Sequence, residues 1–307
     1  MMKSRLCAVL LLLMPLQVSA QSAAATQGGH EISLSVNHYR YVEPGGLSIA
    51  IHGPKIGAEY KGTFLINERR HLFAQADVRG TVGRAAYDGW CSQWLIRPNS
   101  GSANGYQLGL GNTSACSEGG NPDWYLETRG LVGRDFIGHK WTLSPYVGLG
   151  FRHLSNGTTG NSGYRTDKYL YPPVGAVAQT SLASHPLSVT LEYGPLLHGW
   201  QTTRNSKLGG GEVPATPTAP AFTLDSITDV SFVQRRGWSA RASAKYNLTN
   251  RWSVEPYVVH WSVSDSPANF ETASFTVNGV TAHQQLGFYE PFNTTNEFGV
   301  KLGLRFR

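Results

Sequence analysis

Apolar and polar residues alternate with a period of two along most of the chain after Glu31. The final run is the cleanest: Phe298, Val300, Leu302, Leu304 and Phe306 are apolar, and Lys301, Gly303 and Arg305 stand between them. Such periodicity sends successive side chains to opposite faces of a strand. A soluble two-layer core gains little by facing lysine and arginine. Lipid outside, with water or ion pairs inside, suits both faces at once. Ten residues rising about 3.3 Å each cross a hydrocarbon layer of ~30 Å when tilted.

Nine further segments repeat the pattern: Glu31–Tyr39, Lys55–Ile66, His71–Thr81, Trp124–Val132, Trp141–Arg152, Tyr169–Gln179, Leu187–Gly194, Trp238–Leu248 and Trp252–Val259. Short connections (Asn67–Arg70, Arg134–Lys140, Ser181–Pro186, Thr249–Arg251) alternate with longer ones (Val42–Pro54, Asp88–Asp123, Asn156–Lys168, His198–Ile227, Ser262–Asn293). This predicts an all-β, transmembrane, antiparallel up-and-down barrel of about ten strands, with short periplasmic turns and long extracellular loops. A broken strand near Val213–Val230 or Phe270–Val280 would extend hairpins beyond the membrane. Only closure satisfies the backbone of strands in lipid, so the last strand is expected to pair with Glu31–Tyr39.

Parity assigns a charged set to the inside: Glu59, Lys61, Asp77, Arg79, Glu127, Arg129, Arg152, Glu192, Arg241, Lys245, Glu255, Lys301 and Arg305. Both signs are present, which predicts an ion-pair network plugging a narrow bore, with Lys301 and Arg305 meeting carboxylates. Inward Gly148, Gly150 and Gly303 leave room for long side chains. Trp141, Tyr246, Trp252 and Phe306 fall near the short-turn end. Trp90, Trp124, Tyr193 and Trp200 fall near the other, giving two expected aromatic girdles.

Residues 1–20 read as a cleaved signal peptide, from Lys3 and Arg5, the apolar Ala8–Leu13 and the small-residue site Val18-Ser19-Ala20. Residues 21–30 are then a short N-terminal segment and 31–307 the barrel. Export leaves Cys91 and Cys116, expected as one disulfide in an oxidising compartment, the alternative being two free thiols. The net charge is +6 without a Lys/Arg block, so nucleic acid is not an expected partner. No metal-ligand spacing and no cofactor motif occurs; Gly209-Gly210-Gly211 reads as a flexible loop rather than a phosphate cradle.

The strand pattern and the aromatic C-terminal strand resemble those of small bacterial outer-membrane barrels, the opacity-type, porin-like family. Gly148-Leu149-Gly150-Phe151-Arg152-His153-Leu154, with Gly163-Tyr164-Arg165 and Tyr169-Leu170-Tyr171-Pro172-Pro173-Val174-Gly175, is similar to a hairpin of uncharacterised members. The resemblance implies a Gram-negative outer membrane, with its lipid and lipopolysaccharide as surroundings. It also implies recognition of the last strand by the barrel-assembly machinery, although Arg307 follows Phe306. It does not imply an activity.

Two enzymatic readings compete with a structural one. His153-Leu154-Ser155-Asn156 resembles the His-x-Ser-Asn motif of outer-membrane lipid A deacylases, which would make Ser155 a nucleophile, His153 its base and Asp167 the orienting acid. The plainer reading, a rim histidine beside a Ser-Asn-Gly turn, is preferred. Omptin proteases need paired aspartates facing a His/Asp pair; Asp88, Asp123 and His198 are the nearest candidates, without the spacing. The expected function is a non-enzymatic envelope protein acting in structure, adhesion or host interaction, with an extracellular ligand for its loops. A lipid A esterase and a narrow porin are the alternatives.

Overall fold

The computed structural model describes residues 26–306 apart from 46–47, 158–163 and 183–184, and within strands not the side chains of 91, 92, 112, 113 and 164. The expected signal peptide therefore lies outside the described residues. The chain opens with β1 (Gly29–Glu43), β2 (Ile49–Asn67), β3 (Leu72–Pro98) and β4 (Tyr106–Arg134). After the two-residue β5 (Phe136–Ile137) come β6 (Thr142–Asn156), β7 (Tyr164–Tyr171), β8 (Val174–Leu182), β9 (His185–Pro195) and β10 (His198–Arg204). Next are β11 (Gly211–Val213), β12 (Phe222–Ile227), β13 (Val230–Gln234) and β14 (Gly237–Asn247). The chain ends with β15 (Trp252–Val263), β16 (Asn269–Val277), β17 (Val280–Phe288) and β18 (Asn293–Phe306).

Three of the barrel strands are interrupted: β7 runs into β8 through Pro172-Pro173, β9 into β10 through Leu196-Leu197, and β13 into β14 through Arg235-Arg236. Counted as single strands, these complete a closed antiparallel barrel of ten. The breaks lie at one level of the wall, since Leu197 N–H reaches Leu170 O at 2.9 Å and Leu196 N–H reaches Gly237 O at 2.9 Å. Proline has no N–H for the ladder, which accounts for the first break. Closure comes from β1 against β18, in register from His30↔Phe306 to Val42↔Thr294.

The faces follow the alternation. Leu34 is 65 % exposed and Val36 63 %, while Ser33 and Asn37, which flank them, are buried. Exposed aromatics form the two belts, Trp141, Trp252 and Phe306 near the short turns and Trp124, Tyr193 and Trp200 toward the opposite end. Residues 26–28 cross the short-turn mouth: Thr26 donates its N–H and its hydroxyl to Asp135, both at 2.7 Å, and Arg305 donates to the carbonyls of Gln27 and Gly28.

Much of what reads in sequence as loop is strand. Within Val42–Pro54, residues 42–43 end β1 and 49–54 begin β2, and Asp88–Asp123 is the upper half of a β3–β4 hairpin with 27 residues in one arm and 29 in the other. At about 3.3 Å per residue each arm approaches ~90 Å, far beyond the hydrocarbon layer. Its ladder is shifted by bulges between Ala85 and Tyr87, where β3 still pairs with β2, and between Cys91 and Ser92, beyond that pairing. Its end packs on a separate four-stranded sheet in the order β11-β12-β16-β17. Trp94, Ile96 and Leu108 meet Phe222, Leu224, Phe275 and Val277 in a common core. The Gln284 amide imitates a peptide group, donating to Leu108 O at 2.8 Å and accepting from Leu108 N–H at 2.7 Å. Asn278 (φ 49°) and Gly279 (φ 80°) form the turn of the β16–β17 hairpin, both in the left-handed region that such a two-residue turn requires.

This module has its own core, so it should fail separately from the barrel. Phe275 is completely buried, and Phe275→Ala should cost the module about 3–5 kcal/mol. The expected result is protease cleavage within 205–229 or 264–292 while the unheated protein still runs ahead of the boiled sample on a gel. Loss of that mobility difference would mean that barrel and module fold as one unit.

Candidate functional site

The lumen concentrates most of the buried chemistry of the chain. Near the short turns Lys245 pairs with Glu31, and Lys301 lies 2.7 Å from Glu59 and 3.6 Å from Glu255. Lys61 approaches Glu59 at 3.9 Å. One level up, Arg129 bridges Asp77 at 2.6 Å and Glu192 at 2.8 Å, and Arg241 holds Glu127 at 2.7 Å. Tyrosines occupy the remaining lone pairs: Tyr146 donates to Glu192 at 2.8 Å and Tyr171 to Glu127 at 2.5 Å. Tyr171 fits because its ring passes over Gly150, where any Cβ would come within 2.5 Å of it.

At mid-height Arg79 pairs with Glu297, which also accepts from Tyr125 and Tyr257, each at 2.7 Å. Above them Lys55 pairs with Asp123, itself bonded by the Asn156 amide at 2.5 Å. At the long-connection end Arg165 joins Glu43 at 2.7 Å and also Glu290, closing that mouth with Tyr41. Some of these pairs join neighbouring ladder partners, as Arg129 with Asp77 and Lys301 with Glu255, and others, such as Arg129–Glu192, Arg241–Glu127 and Arg79–Glu297, link strands that are not neighbours in the wall.

Two of the thirteen expected lumen charges have other partners. Arg152 meets no carboxylate among the described residues; its guanidinium lies over the rings of Tyr125 (4.4 Å) and Trp261 (5.2 Å). Arg305 sits at the short-turn rim and bonds backbone carbonyls, as above, instead of a carboxylate. Conversely, Glu31, Glu43, Lys55, Asp123, Arg165, Glu290 and Glu297 belong to the network; Glu31 and Lys55 stand at the first positions of their period-two segments, and the others lie outside those segments.

The esterase candidates do not assemble. His153 stacks flat on Trp124 on the outer face, with centroids 5.1 Å apart. Ser155 shares that face, as the ladder partner of Trp124 and Thr166, but is only 4 % exposed. Asp167 is the partner of Leu154 and Gln201, points into the lumen and is 1 % exposed. One residue of strand parity thus puts the acid on the other side of the wall from the His and Ser it would serve. The two rim aspartates do not pair either: Asp123 is buried against Lys55, whereas Asp88 lies outside, holding His52 at 2.7 Å and Ser117 at 2.6 Å. The Ser117 hydroxyl, then His52, hold the Asp88 carboxyl below its usual range. His198 packs on Trp200, centroids 4.1 Å apart.

The side chain of Cys91 lies outside the described residues. The ladder pairs Cys91 with Ser114 and Gly89 with Cys116, so the two cysteines lie two rungs apart on adjoining arms of the hairpin. In the outer module Glu271 is buried and receives the Asn205 amide at 2.8 Å; burial raises its carboxyl above the usual range, with the amide opposing. Among the described residues no group of His, Cys, Asp or Glu is arranged to hold a metal ion.

No protein-family model matches the chain, and no curated protein matches it. Solved structures do. The outer-membrane protease OmpT of Escherichia coli is 10 % identical over 94 % of this chain and 100 % of its own, with a TM-score of 0.48. The translocator domain of the autotransporter NalP from Neisseria meningitidis is 10 % identical over 92 % and 90 %, with a TM-score of 0.36. The attachment protein Ail of Yersinia pestis is 9 % identical over 92 % and 100 %, with a TM-score of 0.26. The barrel resembles those of bacterial outer-membrane proteins. That likeness concerns the fold, and such barrels carry unlike activities.

Two outcomes follow from this geometry. Arg79→Met leaves Glu297 buried without its cation and should lower stability to urea by about 3–5 kcal/mol, and adding Glu297→Gln should recover most of it. Equal losses in the single and double variants would mean the pair is not coupled. Lipid A from cells expressing the protein should keep all its acyl chains; loss of one that is abolished by Ser155→Ala would restore the esterase reading.

Proposed function

We propose that the protein is an integral outer-membrane barrel of the opacity-type, porin-like kind. In this reading its lumen is plugged by side chains, and its role at the envelope surface is non-enzymatic. The observation that carries the reading is the paired interior: from Lys245–Glu31 to Arg165–Glu290, carboxylates are matched to cations across the bore. The internal cavity near the short turns has a volume of about 160 Å³, and Thr26, Arg129, Arg241 and Lys301 are among the residues that line it. Water-filled diffusion needs a continuous passage, and these levels of ion pairs interrupt it. The separate β-module at the long-connection end supports a displayed binding surface for an extracellular ligand.

Under this reading the N-terminal segment directs export and is removed. The strand ending at Phe306 engages the barrel-assembly machinery, and Cys91 and Cys116 cross-link the β3–β4 hairpin outside the membrane. Lipopolysaccharide surrounds the outer half of the wall. The nearness of Cys91 and Cys116 along the ladder, two rungs apart on adjoining arms of one hairpin, supports the bridge.

Planar-bilayer recording tests the plugged lumen. The expected result is insertion without steady unitary conductance. Replacing Arg129 and Arg241 together by alanine should introduce measurable openings. A regular conductance in the unaltered protein would overturn the reading in favour of a narrow pore.

A further inference from the structure

The lipid-facing wall is not smooth. Across β1, β2, β3, β15 and β18 runs a groove of about 700 Å³ with an almost wholly apolar lining. Leu34, Val36, Ile56 and Val300 form its sides, and Ala58 and Gly80 its floor. The register explains the hollow: Leu34, Ala58 and Gly80 are successive ladder partners at one height, so side-chain volume falls away from one strand to the next. A belt that only had to contact fluid chains would not need a trough of this size.

The same outward positions continue toward the long-connection end and change character there. On β1 the step from Val36 passes His38 to Arg40; on β2 it passes from Ile56 through Pro54 to His52; on β3 it goes from Val82 to Arg84. Arg40 and His52 are ladder partners, and the rings of His38 and His52 lie 6.4 Å apart. Arg40 and Arg84 are exposed, and Arg84 donates to the carbonyl of Gly120 at 3.3 Å. The carboxylate facing this group is Asp88, already bonded to His52 and Ser117. Neither arginine is paired with a carboxylate among the described residues. An apolar trough leading into two unpaired guanidiniums is a complement to a molecule with several acyl chains and more than one phosphate.

We propose that this face holds one molecule of lipid A, with acyl chains in the groove and its phosphates on Arg40 and Arg84. The proposal rests on the outer-membrane reading above, which puts the long-connection end in the outer leaflet. Two guanidiniums at separate strands match a diphosphorylated glycolipid better than the single phosphate of a phospholipid.

The test is native mass spectrometry of the purified full chain in detergent, with added diphosphoryl lipid A, monophosphoryl lipid A or phosphatidylglycerol. The unaltered protein should retain diphosphoryl lipid A about tenfold or more in preference to phosphatidylglycerol. Arg40→Ala with Arg84→Ala should remove that preference. Gly80→Leu should weaken retention by filling the trough; a Cβ at Gly80 meets nothing nearer than 3.7 Å, so the barrel accommodates it. Gly130→Leu should leave retention unchanged, since Gly130 lies outside the groove and a Cβ there meets nothing within 4 Å. Equal retention of the three lipids, or retention indifferent to the arginine and Gly80 substitutions, overturns the proposal. So does a dimer that only Gly80→Leu dissociates, which would make the groove a contact between copies. Unheated and boiled samples compared on a gel separate the two levels: normal heat-dependent mobility without lipid A selectivity sinks this site alone, whereas absence of that mobility sinks the membrane reading with it.

Discussion

The pairing of Arg79 with Glu297 across the bore represents the constraint on which the structure depends. A barrel with lipid outside must turn its other face inward. In a ring of ten strands that face has no bulk water to solvate charges. An unpaired buried ion costs several kcal/mol, so most inward charges are matched by an opposite charge, and Arg152 instead lies over the rings of Tyr125 and Trp261. Glu297 meets Arg79, Tyr125 and Tyr257 from three other strands. The same logic recurs at Glu127 and Glu192. The pairs therefore do more than fill space: they tie distant parts of the wall together, and the tyrosines supply the hydrogen bonds that the arginines leave over.

Strand existence was legible because the lipid face imposes a strict parity. Leu302 and Leu304 have no alternative but to face outward once Lys301 and Arg305 do not. Outside the membrane that pressure ends. From Asp88 to Asp123 both faces of the β3–β4 hairpin are wet or cover a separate core, so Gly, Ser and Asn intrude and the segment reads as loop although its ladder continues. The Asn278-Gly279 turn between alternating Phe275, Val277 and Val280, Ala282 was a visible hairpin signal. What it packs against was not, because Ile96 and Leu108 lie far away in sequence.

The candidate site divides in the same way. Inward parity enlisted Glu59, Arg129 and Arg241, but not who meets whom, because cross-barrel partners are set by stagger and tilt. Arg152 settled between aromatic rings and Arg305 at a mouth of the barrel. The His153–Ser155 motif failed on a point that parity itself carries: Asp167 is the ladder partner of inward Leu154, so it faces the lumen. A motif read without its strand register brought together residues that a wall of backbone separates.

Closure is the claim from which the paired interior, the two mouths and the lipid face all follow. Isotope-labelled protein in detergent micelles, observed by NMR, tests it through nuclear Overhauser contacts between β1 and β18. Close backbone proton pairs are expected in the register Leu34↔Leu302 and Val36↔Val300, with slowly exchanging amides on both strands. Absence of those contacts, with rapid exchange along β1, would mean an open sheet and would contradict the barrel.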